Sequence, residues 1–315
     1  MNEKINVLKK ELAKTIIGQE EMIEGLLVGL LCEGHILVEG VPGLAKTTTI
    51  SALSRALNLD AKRIQFTPDL LPSDIIGAQI YNPKDHSFSI KKGPLFTHLL
   101  LADEINRAPA KVQSALLEVM QERQVTIGDQ SFKLDNPFLV MATQNPIEQE
   151  GVYALPEAQL DRFMMKIIVQ HNSQEEELSI MRKSANKSFE TIKTVWHKEE
   201  IEILQKELTQ VHIDIELEQY IVQLISATRE PLHFGLEELE STIMFGASPR
   251  ASIDLYKASK ARAFLRGNDF VSPVDIGHVI HAVLRHRIVL SYEARANGLD
   301  PDSIISIILE TLPIP

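Results

Sequence analysis

The sequence predicts a mostly parallel α/β sheet with helices on both faces, followed by a smaller all-helical domain. Three observations predict it. Apolar runs near residues 36–39, 62–66, 98–102, 137–142 and 165–169 alternate with helical patterns, the order that βαβ units produce. A glycine-containing turn joins the first run to a helix. After about residue 171 the strand-like runs give way to helix-compatible apolar spacing. The chain has 315 residues, enough for two domains, and the expected division is 1–170 for the α/β domain and 171–315 for the helical one.

The first strand, within His35-Ile36-Leu37-Val38-Glu39, runs into Gly40-Val41-Pro42-Gly43-Leu44-Ala45-Lys46-Thr47, and a helical run opens at Thr48. Strand, glycine turn and helix form the setting of a phosphate-binding loop. Gly40 and Gly43 let the backbone turn tightly and aim N–H groups at phosphate oxygens, and the helix N-terminus adds its own unsatisfied donors. Lys46 is the residue type that reaches β- and γ-phosphates, and a hydroxyl such as that of Thr47 ligates Mg²⁺. Ala45 stands where a second glycine is expected. Alanine tolerates helical dihedrals, so the site survives the change if this residue already lies in the first helical turn. The expected ligand is therefore a nucleoside triphosphate with Mg²⁺.

The third apolar run, Thr97-His98-Leu99-Leu100-Leu101-Ala102-Asp103-Glu104, ends in two acids. Continuous apolar character over this length fits a parallel strand buried on both faces. In open α/β sheets ligands sit outside the carboxyl ends of the strands, which is where Asp103 and Glu104 fall. Asp103 suits a Mg²⁺ contact, and Glu104 suits polarisation of an attacking water. Two stretches interrupt the α/β alternation. Residues 74–96 carry Gly77, Asn82-Pro83 and Gly93-Pro94 around an alternating segment, and residues 123–134 alternate about Gly128-Asp129. Both read as hairpin insertions.

Beyond residue 171, Ser173-Gln174-Glu175-Glu176 has capping-box spacing and Ser272-Pro273 places proline at the first helical position. The segments 198–208, 216–228, 249–265, 273–285 and 301–311 have helical spacing, with an irregular acidic stretch over 231–248. Ser248-Pro249 reads as cap and first residue, so Arg250 lies in the first turn of its helix. The helix dipole disfavours a cation there by ~0.3–1 kcal/mol, and an anion nearby would reverse the sign.

Composition narrows the function classes. The chain is 44% hydrophobic and 24% charged, with a formal net charge of -11, a balance that argues against broad contact with nucleic-acid phosphates. One cysteine, Cys32, excludes an intrachain disulfide framework and reads as a small buried hydrophobe. The N-terminal residues show no signal-peptide apolar region, and charges and glycines interrupt the apolar stretch 23–38, so neither secretion nor a membrane span is expected. The ten histidines are scattered without metal-ligand spacing.

Taken together, these motifs resemble the AAA+ ATPases, and within them the MoxR family. The resemblance rests on the phosphate-binding loop; on Ala102-Asp103-Glu104 followed by Ile105-Asn106-Arg107-Ala108-Pro109; on Ala142-Thr143-Gln144-Asn145-Pro146; on the segment Leu155 to Phe163; and on Gly246-Ala247-Ser248-Pro249-Arg250-Ala251, in that order. The resemblance implies a P-loop AAA+ core with a helical lid and an ATP site that includes Gly40, Val41, Pro42, Gly43, Leu44, Ala45, Lys46, Thr47 and Thr48. It identifies Thr47 and Asp103 as Mg²⁺ ligands, Glu104 as the water-activating acid, Asn145 as sensor 1, Arg162 as an arginine finger acting on a neighbouring subunit and Arg250 as sensor 2. Ile17 and Gly18 resemble the segment on the adenine side. By family, the expected protein is a cytoplasmic homo-oligomer, a hexameric ring, that remodels or matures client proteins, with a von Willebrand factor A domain protein as the partner class. A magnesium-chelatase-like ATPase subunit and a nucleotide-gated scaffold with little turnover are the alternatives.

Overall fold

The computed structural model describes residues 2–84, 86–147, 152–186 and 189–315. They group into two compact units. One comprises chiefly Glu3–Leu155 with Ile167–Glu202, the other Pro156–Lys166 with Ile203–Pro315. The sequence places the change of character at residue 170, whereas this grouping assigns 171–202 to the sheet unit and 156–166 to the helical one. Local bonding explains both differences. The N–H groups of Val195 and Trp196 donate to Ala56 O, and Trp196 is fully buried. Phe163 O, in turn, accepts from Arg287 and bonds the His286 ring.

In chain order the elements of the sheet unit begin with α1 (Asn2–Leu12), α2 (Glu20–Leu31), β1 (Ile36–Glu39), α3 (Lys46–Leu57), β2 (Ala61–Gln65) and α4 (Pro72–Ile76). They continue with β3 (Gly77–Asn82), β4 (Ser87–Lys92), β5 (Leu99–Asp103), α5 (Ala110–Glu122), β6 (Gln124–Ile127), β7 (Gln130–Lys133) and β8 (Leu139–Gln144). α6 (Glu157–Leu160) belongs to the helical unit; β9 (Met165–Ile168) leads back into the sheet unit, which holds α7 (Gln174–Ala185), and α8 (Lys198–Thr209) runs past the boundary at residue 202. A five-stranded sheet has the order β2-β5-β8-β1-β9. The pairs β2–β5, β5–β8 and β8–β1 are parallel. β1, β5 and β8 are buried almost throughout, as their unbroken apolar runs require, while edge strand β2 buries only Ile64. Register places Gln65 beside Asp103 and Glu39 beside Gln144, so the carboxyl ends of four strands share one edge. The pairs β3–β4 and β6–β7 are separate antiparallel hairpins. Cys32 is half-buried and caps the end of α2, so it is not the core residue expected.

The helical unit contains α9 (Ile215–Ala227), β10 (Ile243–Phe245), α10 (Pro249–Arg266), α11 (Pro273–Leu284), β11 (Val289–Leu290), α12 (Tyr292–Ala296) and α13 (Pro301–Thr311). Its core is built from Leu224, Leu255, Phe264, Ile280, Val283, Ile304 and Ile305. Ser248, Asp214 and Asp300 each accept a backbone N–H in the first turn of their helices, which satisfies donors that the helix itself leaves free. The expected all-helical domain also carries an antiparallel ribbon, β10–β11. Its first strand lies in the acidic stretch 231–248, where β-branched Ile243 and aromatic Phe245 are the local strand formers. Among the described residues no helix is long and apolar enough to cross a membrane.

Candidate nucleotide site

At the shared carboxyl edge of the sheet lies a cavity of about 350 Å³ lined by Gly43, Lys46, Thr47, Asp103, Glu104 and Asn145, with Pro42, Ala45, Thr48 and Arg63 completing its wall. Five of the residues singled out for phosphate, metal or water chemistry therefore meet in one place. The volume lies in the range of small-ligand sites, roughly 300–1,000 Å³. Gly43 has φ +91°, and a Cβ built on it would meet nothing within 4 Å. Glycine is thus required for its backbone angle, and the space in front of it is open for a ligand. Gly40 N–H donates to Gln144 O, which anchors the loop to β8. Lys46 Nζ donates to Gly40 O. Burial lowers the Lys46 pKa from the ordinary lysine value, against the opposing pull of Asp103, Glu104 and Glu39.

Ala45 departs from expectation. It is not in the helix but caps α3 in the left-handed region, at φ 55° and ψ 17°. That conformation costs an L-residue roughly 1–2 kcal/mol, so the turn that glycine would make freely is made here under strain. Glu104 is also left-handed, at φ 56° and ψ 51°. Strained backbone of this kind persists where the surroundings over-determine it, and the surroundings of the acids do so. Glu104 N–H donates to Thr143 Oγ1 at 2.9 Å, and Thr143 Oγ1 donates to Asp103 Oδ1 at 2.6 Å. Arg63 reaches Asp103 Oδ2 at 2.7 Å. Gln65 and Arg107 both donate to Glu104 Oε2, at 2.8 and 3.1 Å. Arg107 therefore pairs with Glu104 of its own chain. Asn145 is buried, and its Oδ1 accepts from Ile147 N–H at 3.2 Å. One end of the amide holds a turn, and Nδ2 remains as a donor for a ligand.

Thr143, Arg63 and Gln65 carry no role in the sequence reading. The signal for the last two is positional. Arg63 and Gln65 are i and i+2 on the strand paired with the acid-bearing strand, so they share a face. Thr143 gives itself away as a polar residue in an otherwise apolar buried strand.

Gly18, but not Ile17, lines a second cavity of the same unit, of about 300 Å³, together with Gln19, Met22, Val169, His171 and Glu176 among others. Ile17 O accepts from Asn172 Nδ2 at 2.8 Å, and Asn172 Oδ1 accepts from Gln19 at 2.9 Å. Gly18 has φ +71°, and a Cβ there would lie 2.5 Å from the Glu176 side chain. This cavity abuts the phosphate-loop segment, because Val169 N–H donates to Glu39 O and Val169 packs against Gly40.

Arg162 and Arg250 belong to the helical unit. Arg162 is half-buried just after α6, and its guanidinium makes no hydrogen bond or ion pair among the described residues. Arg250 sits in the first turn of α10, with its N–H donated to the cap Ser248. The anion that offsets the helix dipole there is Asp161, whose Oδ2 lies 3.4 Å from Arg250 Nη1. Asp161 also binds Arg287, a guanidinium whose side chain is only 1% exposed.

The cavity also fits a magnesium ion. Thr47 and Asp103 supply hard oxygen donors, the kind Mg²⁺ takes, and this ion is usually held by one or two carboxylates together with substrate phosphates. Among the described residues no three His, Cys, Asp or Glu side chains cluster in a way that would hold a metal on their own.

Comparison with known proteins agrees with this geometry. The family model for the ATPase family associated with various cellular activities (AAA) matches residues 35–165, and that for the AAA lid domain matches residues 238–308. The fold and its motifs thus define an AAA-type ATPase core followed by a lid. Chaperone MoxR1 of Mycobacterium tuberculosis is 48% identical over 305 residues, covering 97% of this chain and 81% of that protein. Protein MoxR of Methylorubrum extorquens is 30% identical over 335 residues, covering 98% and 94%. The crystal structure of a Cytophaga hutchinsonii protein, proposed to be an ATPase, superposes with a TM-score of 0.94 at 51% identity, covering 100% of this chain and 96% of that one. This chain belongs to the MoxR family of AAA+ ATPases.

Proposed function

We propose that this chain binds Mg·ATP at the cavity beside the phosphate-binding loop, hydrolyses it, and uses the cycle to remodel or mature partner proteins. The observation that carries this reading is the convergence of Lys46, Thr47, Asp103, Glu104 and Asn145 on one cavity at the carboxyl edge of the sheet. In this reading the loop amides of Gly40 to Thr48 and the Lys46 ammonium hold the phosphates. Thr47 and Asp103 hold the magnesium ion, which neutralises charge on the β- and γ-phosphates when bound. Glu104 takes the proton of the attacking water, and Asn145 positions that water. Gln65 and Arg107 hold one carboxylate oxygen of Glu104, leaving the other as the base. Arg250 reads the γ-phosphate from the lid.

Arg162 acts on the ATP of the next subunit, which makes a homo-oligomeric ring, a hexamer, the active form. The freedom of its guanidinium from any partner among the described residues supports that role. The name of the relative Chaperone MoxR1 supports a protein client, and the family resemblance supports a von Willebrand factor A domain protein as the class of partner. Cytoplasmic location follows from the same reading.

The test pairs two variants. Glu104→Gln is expected to bind ATP with affinity within about threefold of the parent while losing phosphate release by at least about a hundredfold, because only the base is removed. Lys46→Ala is expected to lose ATP binding itself. Proteins retained from native lysate by Glu104→Gln in ATP, and absent with Lys46→Ala, identify clients. ATP binding without phosphate release by the parent chain would replace the ATPase reading with that of a nucleotide-gated scaffold.

A further inference from the structure

The helical unit contains a charge cluster centred on Arg287, Asp161 and Asp254, none of which the ATP chemistry uses. Arg287 is buried and directs its whole guanidinium inward. Nε donates to Asp161 Oδ1 at 2.8 Å, and Nη2 donates to Asp254 Oδ2 at 2.6 Å, Phe163 O at 2.9 Å and Asp161 O at 3.2 Å. Nη1 donates to Val283 O at 3.0 Å and to Met164 O at 3.4 Å. One buried cation thus faces two carboxylates, and Arg250, 3.4 Å from Asp161 Oδ2, supplies the second positive charge. Ser248, the cap of the Arg250 helix, donates its hydroxyl to both Asp161 oxygens at 3.1 and 3.0 Å. The decisive contact is on the backbone. Arg250 Nη1 also donates to the carbonyl oxygen of Asp161, at 3.4 Å. That carbonyl belongs to the peptide joining Asp161 to Arg162.

We propose that Asp161 couples the two phosphate-reading arginines: its carboxylate competes with the γ-phosphate for Arg250, and release of Arg250 loosens the peptide that carries Arg162. This inference rests on the ATP reading above. A phosphate carries more charge than a carboxylate and draws the guanidinium away from a contact that is already long. Once Arg250 leaves, Asp161 keeps Arg287 and the Ser248 hydroxyl, and its carbonyl keeps the Arg287 donor but loses the Arg250 one. A chain with triphosphate in its own site thereby changes the hold on the arginine it offers to its neighbour. Asp161 is a positioning residue in this scheme. It touches no nucleotide.

The experiment is a double-mutant cycle in the Glu104→Gln background, which keeps ATP intact. Asp161→Asn retains shape and an acceptor for Arg287 while removing the competing charge. Equilibrium titration with ATP and with ADP should show ATP bound roughly 2- to 5-fold more tightly relative to ADP in Asp161→Asn, the range for a partly exposed ion pair. The gain should vanish in Arg250→Ala. A structural role alone would lower the melting temperature without changing the ATP-to-ADP preference, so an unchanged preference with Arg250 present overturns the proposal. If Arg250→Ala by itself leaves that preference unaltered, Arg250 does not read the γ-phosphate, and the underlying assignment falls with the coupling. Hydrogen exchange covers the case in which Asp161→Asn does not fold. With Asp161 intact, the amides of Arg162 and Phe163, bonded to Gln159 O and Leu160 O, should exchange faster in ATP than in ADP, and Arg250→Ala should abolish the difference. Equal exchange in the two nucleotides contradicts the coupling.

Discussion

The phosphate-loop cavity and the Arg287 cluster are both built from charged side chains, and they are built in opposite ways. The cavity gathers groups that the protein leaves partly open. Half-buried Lys46 lines the cavity with Gly43, and the backbone at Ala45 and Glu104, two more of its lining residues, is held in the left-handed region. The cluster gathers groups that the protein satisfies. Arg287 is enclosed, charge-balanced by Asp161 and Asp254, and bonded to four backbone carbonyls. Strain and incomplete pairing mark a place waiting for a ligand. Saturation marks a part that transmits position. The same residue type, arginine, therefore stands in different settings in this chain: Arg287 is enclosed and fully paired, whereas Arg162 and Arg250, the two proposed to act on phosphate, are partly exposed.

The largest expected effect comes from breaking the saturated member. Arg287→Met removes the buried cation between two half-buried carboxylates, and losing one partner of a buried pair costs about 3–5 kcal/mol. Denaturant melts should show that loss, while Lys46→Ala, in the open cavity, should melt within about 1 kcal/mol of the parent. Acid should act on the sheet unit through His35. Burial, with Arg123 adding to it, holds this ring at a pKa of about 3. Its Nδ1 accepts from Val140 N–H, so the proton sits on Nε2 toward Met120 O. The unfolded chain takes up a proton below pH 6.5 that the folded chain refuses. The stabilisation is complete above that pH and falls as pH drops toward 3, by about 1.4 kcal/mol per pH unit. His35→Gln should flatten that part of the profile, and an unchanged slope would remove His35 from the account.

Smaller effects separate Asp103 and Glu104 from their supports. Thr143→Val removes the hydroxyl that joins Asp103 to the Glu104 amide. It should lower kcat about tenfold, near 1.4 kcal/mol in barrier, with KM for ATP changed much less. A proportional rise in KM would mean that the hydroxyl serves binding rather than the acid. The smallest effect is Ala45→Gly, which relieves a left-handed alanine. It should stabilise the fold by up to about 1 kcal/mol, less the added chain entropy of glycine. A clear loss of stability would contradict the left-handed geometry at that position.

This contrast also separates what sequence shows from what it hides. The cavity was legible because phosphate sites are assembled from contiguous stretches at strand ends. Residues 40–48, the pair Asp103-Glu104, and Asn145 each follow an apolar run that register brings to one edge. Ala45 keeps the site without lying in the helical turn that would have made alanine comfortable there, because the demand of the loop outweighs local propensity. The Arg287 cluster was invisible because residues 161, 254 and 287 come from three separate segments, and only packing brings their charges together. Arg250 was legible as a residue looking for an anion, from its place in the first helical turn. That the anion at hand is Asp161 was not. The β10–β11 ribbon was hidden for the same reason, since β11 is two residues long and pairs across more than forty positions.

The central claim is that ATP is hydrolysed at this cavity with help from the neighbour's arginine. The direct test mixes two inactive variants, Lys46→Ala with an intact Arg162 and Arg162→Ala with an intact cavity, and follows phosphate release. If the proposed ring forms, mixed assemblies contain interfaces where a working cavity meets a working arginine, so the mixture is predicted to release phosphate well above the sum of the two variants alone. A rate equal to that sum would contradict the shared site.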